Sequence, residues 1–167
     1  AFLARGIGGA HPFLVGLALG GGADLSRRVM LSGHATIAWG QQNTLAYDIY
    51  GINVQALLRY RLGDERILSL VAGLDVTIAG TVGQNDPNRL HDVSFFSVGP
   101  TAGIGLRYKV LTVDLLGVLP IGLGWTERQV TNAAGQVERD GQGNPRYEGV
   151  RHDGVGWGVN INGALHF

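Results

Sequence analysis

The sequence predicts an all-β protein, a closed up-and-down antiparallel transmembrane β-barrel of eight strands that takes up residues 1–167 as a single domain. Three observations lead there. Apolar side chains alternate with small or polar ones again and again along the chain, which marks strands with two unlike faces. Within strand interiors the apolar face carries no charge, whereas Arg28, Arg59, Asp75, Arg107 and Asp114 all fall on the face rich in Gly, Ser, Thr and Asn. Aromatic residues on the apolar face collect at the strand ends.

The C-terminal stretch shows the alternation best. Val155, Trp157, Val159, Ile161, Gly163, Leu165 and Phe167 share one face, with Gly156, Gly158, Asn160, Asn162, Ala164 and His166 opposite. From the N-terminus, a short strand is expected at about 1–8, where Arg5 and the glycines of 6–9 blur the faces. Phe13–Gly20 alternates clearly, and Gly21–Arg27 reads as a turn because of its glycines. Arg28–Gly40 and about Ala46–Arg61 follow, joined by a loop at 41–45, and then a tight turn at 62–65. Arg66–Ala79, Val93–Tyr108 and Val110–Trp125 complete the series, separated by a polar loop at 80–92 and a turn at Lys109. Thr126–Gly154 is polar and reads as a long extracellular loop, in which 129–132 and 147–151 pair around a turn at 140–145. Longer connections fall mainly on one side and short ones on the other, as in outer-membrane barrels.

Composition narrows the function. Net charge is zero, so no nucleic-acid partner is indicated. With no cysteine, disulfides, thiolate metal sites and cysteine nucleophiles are excluded. The most apolar runs, Phe13–Ala23 and Leu115–Trp125, are glycine-rich and too short for a membrane helix of about 20 residues, but they suit a spanning strand of about 9–11.

A soluble eight-stranded barrel would put large apolar residues inside and charges outside. Here the sorting is reversed, and an arginine facing lipid at mid-depth costs about 2–4 kcal/mol. Tyr60, Tyr108 and Phe167 mark one end of the apolar face, and Trp39, Tyr50, Phe96, Trp125 and Trp157 the other, as interfacial girdles do. On these features the chain resembles the small outer-membrane barrels of Gram-negative bacteria, the OmpA- and OmpX-type group, with OmpW-like barrels as the second choice. The resemblance implies a monomer in the bacterial outer membrane, among its lipids and lipopolysaccharide. It also implies that Val159, Ile161, Leu165 and Phe167 form the C-terminal signal read by the barrel-assembly machinery.

A barrel of this size has a lumen that side chains can fill. Arg28, His34, Asn53, Arg59, Asp75, Arg107 and Asp114 are expected to form a polar, charge-paired network that plugs it, since a buried charge without a partner is costly. Ser32, His34 and Asp75 all face inward, so a lipid-modifying enzyme is an alternative, with His34 as hydrogen-bonded filler the plainer one. No histidines show metal-ligand spacing, and no cofactor is implied. Asn85, Asp86, Asn88 and Asp92 lack the glycine and terminal glutamate of a calcium loop. Proline cannot donate to a ladder, yet Pro100 and Pro120 sit in consecutive strands at one height. Either two bulges are tolerated there, or a lateral gap admits small apolar solutes. The leading expectation is a structural or surface-interaction barrel; the conduit and the enzyme are its alternatives.

Overall fold

The computed structural model describes residues 2–6, 12–42, 47–63, 67–81 and 94–165. It is all-β and antiparallel throughout. The strands are β1 (Phe2–Gly6), β2 (Pro12–Asp24), β3 (Val29–Gln42), β4 (Tyr47–Leu62), β5 (Leu68–Thr81), β6 (Ser94–Tyr108), β7 (Leu111–Val118), β8 (Ile121–Gln129), β9 (Tyr147–Val155) and β10 (Trp157–Leu165). They form one curled sheet in the order β5-β4-β3-β2-β1-β10-β7-β6-β8-β9, and β5 also pairs with β6.

Two expected strands are each interrupted. The stretch 110–125 is β7 and β8, separated at Leu119-Pro120, because proline has no N–H for the ladder. The final strand is β10, and β9 runs up to it from inside the segment read as a loop, with the break at Gly156. The turn expected at 21–27 is also shifted. Gly20–Gly22 are strand residues paired with His34, Gly33 and Ser32. A Cβ on Gly20 would stand 2.4 Å from the Gly33 carbonyl oxygen, so glycine here serves close strand approach rather than a turn. The real turn is 25–28, where the N–H groups of Leu25 and Ser26 donate to the Val29 carbonyl and the Ser26 hydroxyl accepts from Arg28 and Val29. The tight turn after β6 places Lys109 at φ 53°.

Closure is incomplete along one seam, which departs from the closed barrel expected. β1 pairs Phe2–Ala4 with Phe13–Val15 on one side and Phe2–Gly6 with Trp157–Ile161 on the other. Past Phe2, among the described residues, Leu17–Ala23 pair with β3 alone and Gly163–Leu165 with β7 alone. The inner-face residues Ala18, Gly20, Gly22 and Ala164 are accordingly exposed.

The two faces of the sheet are chemically opposite. The inner face buries Thr36, Asn53, Gln55, Asp75, Thr77, Ser97, Thr101, Asp114 and Asn160, with a small apolar cluster of Leu57, Val71 and Leu116 from β4, β5 and β7. The outer face exposes leucine, isoleucine and valine along β2–β7, among them Leu19, Ile37, Ile52, Leu74, Ile78 and Leu115. Trp39 and Tyr50 are cross-strand partners on this face, and Tyr60 and Tyr108 lie near the short turns. Of the strand residues whose side chains are described, the charged ones between these aromatic levels (Arg59, Asp75, Asp114) all turn inward.

Candidate functional site

The inner face holds two polar clusters built on neighbouring strands. In the lower one, the Arg59 guanidinium from β4 grips the Asp114 carboxylate from β7 with both nitrogens, Nη1 to Oδ1 at 2.5 Å and Nη2 to Oδ2 at 2.6 Å. The Arg59 Nε donates to the Ser32 hydroxyl at 3.1 Å, and Ser32 donates to the Leu57 carbonyl at 3.4 Å. Fork-on-carboxylate geometry of this kind is the strongest form of the ion pair. Close by, Arg61 Nη2 donates to Asp24 Oδ1 at 2.5 Å and tethers β4 to the end of β2. The cavity left beside Arg59, Arg61 and Arg107 measures about 20 Å³, room for about one water.

The upper cluster is organised on Asp75 of β5, which is fully buried. Its Oδ2 accepts from Gln55 Nε2 at 2.6 Å, Asn53 Nδ2 at 2.8 Å and Asn160 Nδ2 at 3.0 Å, and its Oδ1 from the Thr77 hydroxyl at 3.1 Å. Asn162 Nδ2 extends the cluster by donating to Gln55 Oε1 at 3.0 Å. Amide donors from β4 and β10 thus converge on one carboxylate, and hydrogen bonding of this density is what lets a buried charge persist.

Of the residues singled out in the sequence, Asn53, Arg59, Asp75 and Asp114 are brought together in these clusters. Arg28 is not: it lies in the exposed turn 25–28, one residue before β3 begins. Arg107 is also outside, exposed at the end of β6, where its Nε donates to the Lys109 carbonyl at 3.4 Å. His34 lines a second cavity, of about 480 Å³, together with Ser32, Arg59 and Asp114, and its buried Nε2 has no hydrogen-bond partner. Ser32 and Asp75 are committed to the partners above, and His34 shares a hydrogen bond with Gln55, which in turn donates to Asp75. Gln55, Thr77, Asn160 and Asn162 were not singled out, although inner-face alternation already placed them in the lumen.

Pro100 and Pro120 do lie side by side, and the wall between them is bridged. The β6–β7 ladder ends at Thr101↔Val118 and the β6–β8 ladder begins at Val98↔Ile121. Between them the Leu119 N–H donates to the Pro100 carbonyl at 3.1 Å, and the Gly156 N–H to the Pro120 carbonyl at 2.7 Å. A Cβ on Gly99 would stand 2.1 Å from the Leu119 carbonyl oxygen, so the backbones are in contact here. The ladder is thus interrupted at the two prolines and spanned there by these two backbone bonds.

The segment 126–154 carries a paired hairpin, as expected of 129–132 and 147–151, and the pairing is more extensive. β8 and β9 pair from Ile121↔Val155 to Gln129↔Tyr147. Beyond them the backbone closes a ring of bonds: Val130 N–H to the Arg146 carbonyl, Arg146 N–H to that of Glu138, and Glu138 N–H to that of Val130. Two like turns complete this cap. Asn132 Oδ1 accepts from the N–H groups of Ala134 and Gln136, and Asp140 Oδ1 from those of Gln142 and Asn144. Gly135 and Gly143 take the positive φ each turn requires.

The Asp140 carboxyl is held below its ordinary 3.8, chiefly by the Asn144 N–H and then by that of Gln142, both of which favour the anion. A depressed carboxylate stabilises the turn above the ordinary value and ceases to do so as pH falls through the depressed one. In a pH series of amide spectra, the Gln142 and Asn144 signals should therefore shift together with a midpoint below 3.8; a midpoint at or above 3.8 would refute this cap.

On β10, Val159, Ile161 and Leu165 alternate on the side away from the lumen, while Phe167 lies outside the described residues; of the loop expected at 80–92, residues 80–81 belong to β5 and 82–92 lie outside the described residues. No family model, curated protein or solved structure matches this sequence.

Proposed function

We propose that the chain is an integral β-barrel of a bacterial outer membrane, with a plugged lumen and a structural or surface-presenting role carried by the β8–β9 hairpin and its cap. The single observation behind this reading is the inversion of the two faces. Contiguous leucine, isoleucine and valine cover the outside, while carboxylates, guanidinium and amides fill the inside. Water-soluble monomers rarely expose apolar patches beyond a few hundred Å², and hydrocarbon is the solvent in which such a surface is at rest.

Topology supports the same reading. Taking β7 with β8 and β9 with β10 as interrupted single strands gives eight, and the pairing order returns to its start through β5–β6. A spanning sheet must close, because hydrocarbon cannot satisfy an open edge. The polar clusters cross the lumen where a channel would need to be open, which favours a plug over a conduit. On this reading β10 is the strand presented to the assembly machinery, and lipids and lipopolysaccharide surround the barrel.

The test is an arginine on the outer face at mid-height. Leu74 is 59% exposed and pairs with Ala56 and Pro100, near the middle of β4 and β6. In lipid vesicles, Leu74→Arg should lower folding stability by about 2–4 kcal/mol, while Val137→Arg in the cap should change it by under about 0.5 kcal/mol. Urea titrations of vesicle-inserted protein read both. A neutral Leu74→Arg, with the chain monomeric in buffer free of detergent, would sink the membrane reading.

A further inference from the structure

We propose that the mouth of the lumen at the short-turn end is a seat for a phosphate-type oxyanion, one oxygen of which sits among Arg59, Arg61 and Arg107. Such a seat needs the fold alone and does not rest on the membrane reading.

Residues from β3 to β7 line the cavity of about 20 Å³ at this end, and every charged one among them is an arginine. The ladders set the wall in order: Arg59 opposite Met30, Arg61 opposite Ser69, Ser69 opposite Gly105, and Arg107 opposite Thr112. Gly105 makes room for the floor. A Cβ there would stand 2.5 Å from Asp114 Oδ1 and 3.0 Å from Arg59 Nη1, so the missing side chain is what lets the ion pair approach.

Charge gives the class of ligand. Arg59 is paired with Asp114 and Arg61 with Asp24. Among the described residues Arg107 hydrogen-bonds only to the Lys109 carbonyl, through Nε at 3.4 Å, which leaves both Nη nitrogens to donate elsewhere. Three guanidinium groups against two carboxylates leave one positive charge in surplus. Arg61 is only 6% exposed, and a cation held partly out of water gains from an anionic partner. Size gives the ligand its shape. Room for about one water admits a single oxygen. A tetrahedral phosphate sends one oxygen inward, where the Ser69 hydroxyl can donate, and keeps others for the fork of Arg107 at the rim. A chloride ion taken inside would have no second atom for Arg107. Height names two sources. Tyr60 and Tyr108 adjoin these arginines in sequence and, on the membrane reading, mark headgroup level. The phosphate is therefore a free ion from the water or part of a lipid headgroup.

The full chain is held in maltoside micelles, which carry no phosphate, and the side-chain Nε–H signals of Arg59, Arg61 and Arg107 are followed by NMR. One arm adds inorganic phosphate. The other replaces a share of the detergent with phosphatidic acid, with diacylglycerol as its uncharged control. The Arg61 and Arg107 signals should shift saturably in at least one arm, and chloride at the same concentration should leave them in place. Which arm responds names the source. Arg107→Gln alters an exposed side chain outside the buried ion pairs and should weaken binding about tenfold or more, the loss of a charge-assisted hydrogen bond. Arg27→Gln removes the same charge from the turn 25–28, off the cavity, and should change binding by less than about twofold. No saturable shift in either arm would overturn the seat, as would an equal response to chloride. Equal weakening by the two variants would overturn it too, because diffuse positive charge would then account for the binding.

Discussion

Arg59→Ala should cost about 3–5 kcal/mol of folding stability, and Asp114→Ala a similar amount, because each leaves its partner as an uncompensated buried charge. The two side chains are 12% and 4% exposed, and they join β4 to β7 across the lumen instead of along the wall. An exposed pair of the same composition would be worth about 0–1 kcal/mol, so the size of the effect measures how dry the lumen is. The double variant Arg59→Met with Asp114→Leu removes both charges while keeping much of the volume. It should recover to within about 1 kcal/mol of the parent or exceed it, as replaced buried ion pairs often do. Urea midpoints in vesicles decide the matter. Single variants costing under about 1 kcal/mol would show a hydrated lumen, and the plug would have to be abandoned.

The strand faces were legible because the two-residue period is a property of the backbone, independent of what the strand packs against. Tyr50 to Tyr60 could be sorted outward and Asn53, Gln55 and Arg59 inward without any knowledge of their neighbours. What periodicity does not supply is height. Arg28 has the inward parity, but the strand starts one residue later and parity means nothing in a turn. Arg107 has the right parity and the wrong height, since it sits in the last ladder pair but one, at the exposed end of β6.

Meetings across the lumen were harder still. Asp75 and Gln55 are direct cross-strand neighbours and could be paired by counting back from the tight turn at 62–65. Asn160 reaches Asp75 from a strand 85 residues away, and only the curl of the sheet brings them together. The interruption at Pro120 announced itself through proline chemistry, whereas its partner at Gly156 did not, since glycine is abundant everywhere in this chain. β9 was legible in part, since 147–151 are expected to pair with 129–132, and its start at Tyr147 opposite Gln129 agrees. Its run onward to Val155 carries no clear alternation, because a hairpin exposed on both faces gives that signal no cause to appear.

The same distinction between wall and lumen governs the second large effect. Asp75→Ala should destabilise the protein by about 3 kcal/mol or more, because it withdraws the acceptor from three buried amide donors at once. Each stranded donor carries a desolvation cost of about 1–3 kcal/mol, and the costs do not simply add where neighbours can re-pair. Asp75→Asn is the sharper probe. It keeps the shape and an oxygen for the donors of Asn53, Gln55 and Asn160, but removes the negative charge they share and puts an NH₂ group where Oδ1 accepts from the Thr77 hydroxyl. If stability comes from filling the space, Asp75→Asn should be nearly silent; if it comes from a carboxylate that gathers donors, the variant should lose a large part of what Asp75→Ala loses. The second outcome is expected. It should be accompanied by faster exchange of the Asn160 side-chain amide, because Asn160 is the donor that β10 contributes to this carboxylate. Urea titration together with side-chain amide exchange separates the two accounts, and an Asp75→Asn protein as stable as the parent would reduce Asp75 from the organiser of the plug to one polar side chain among several.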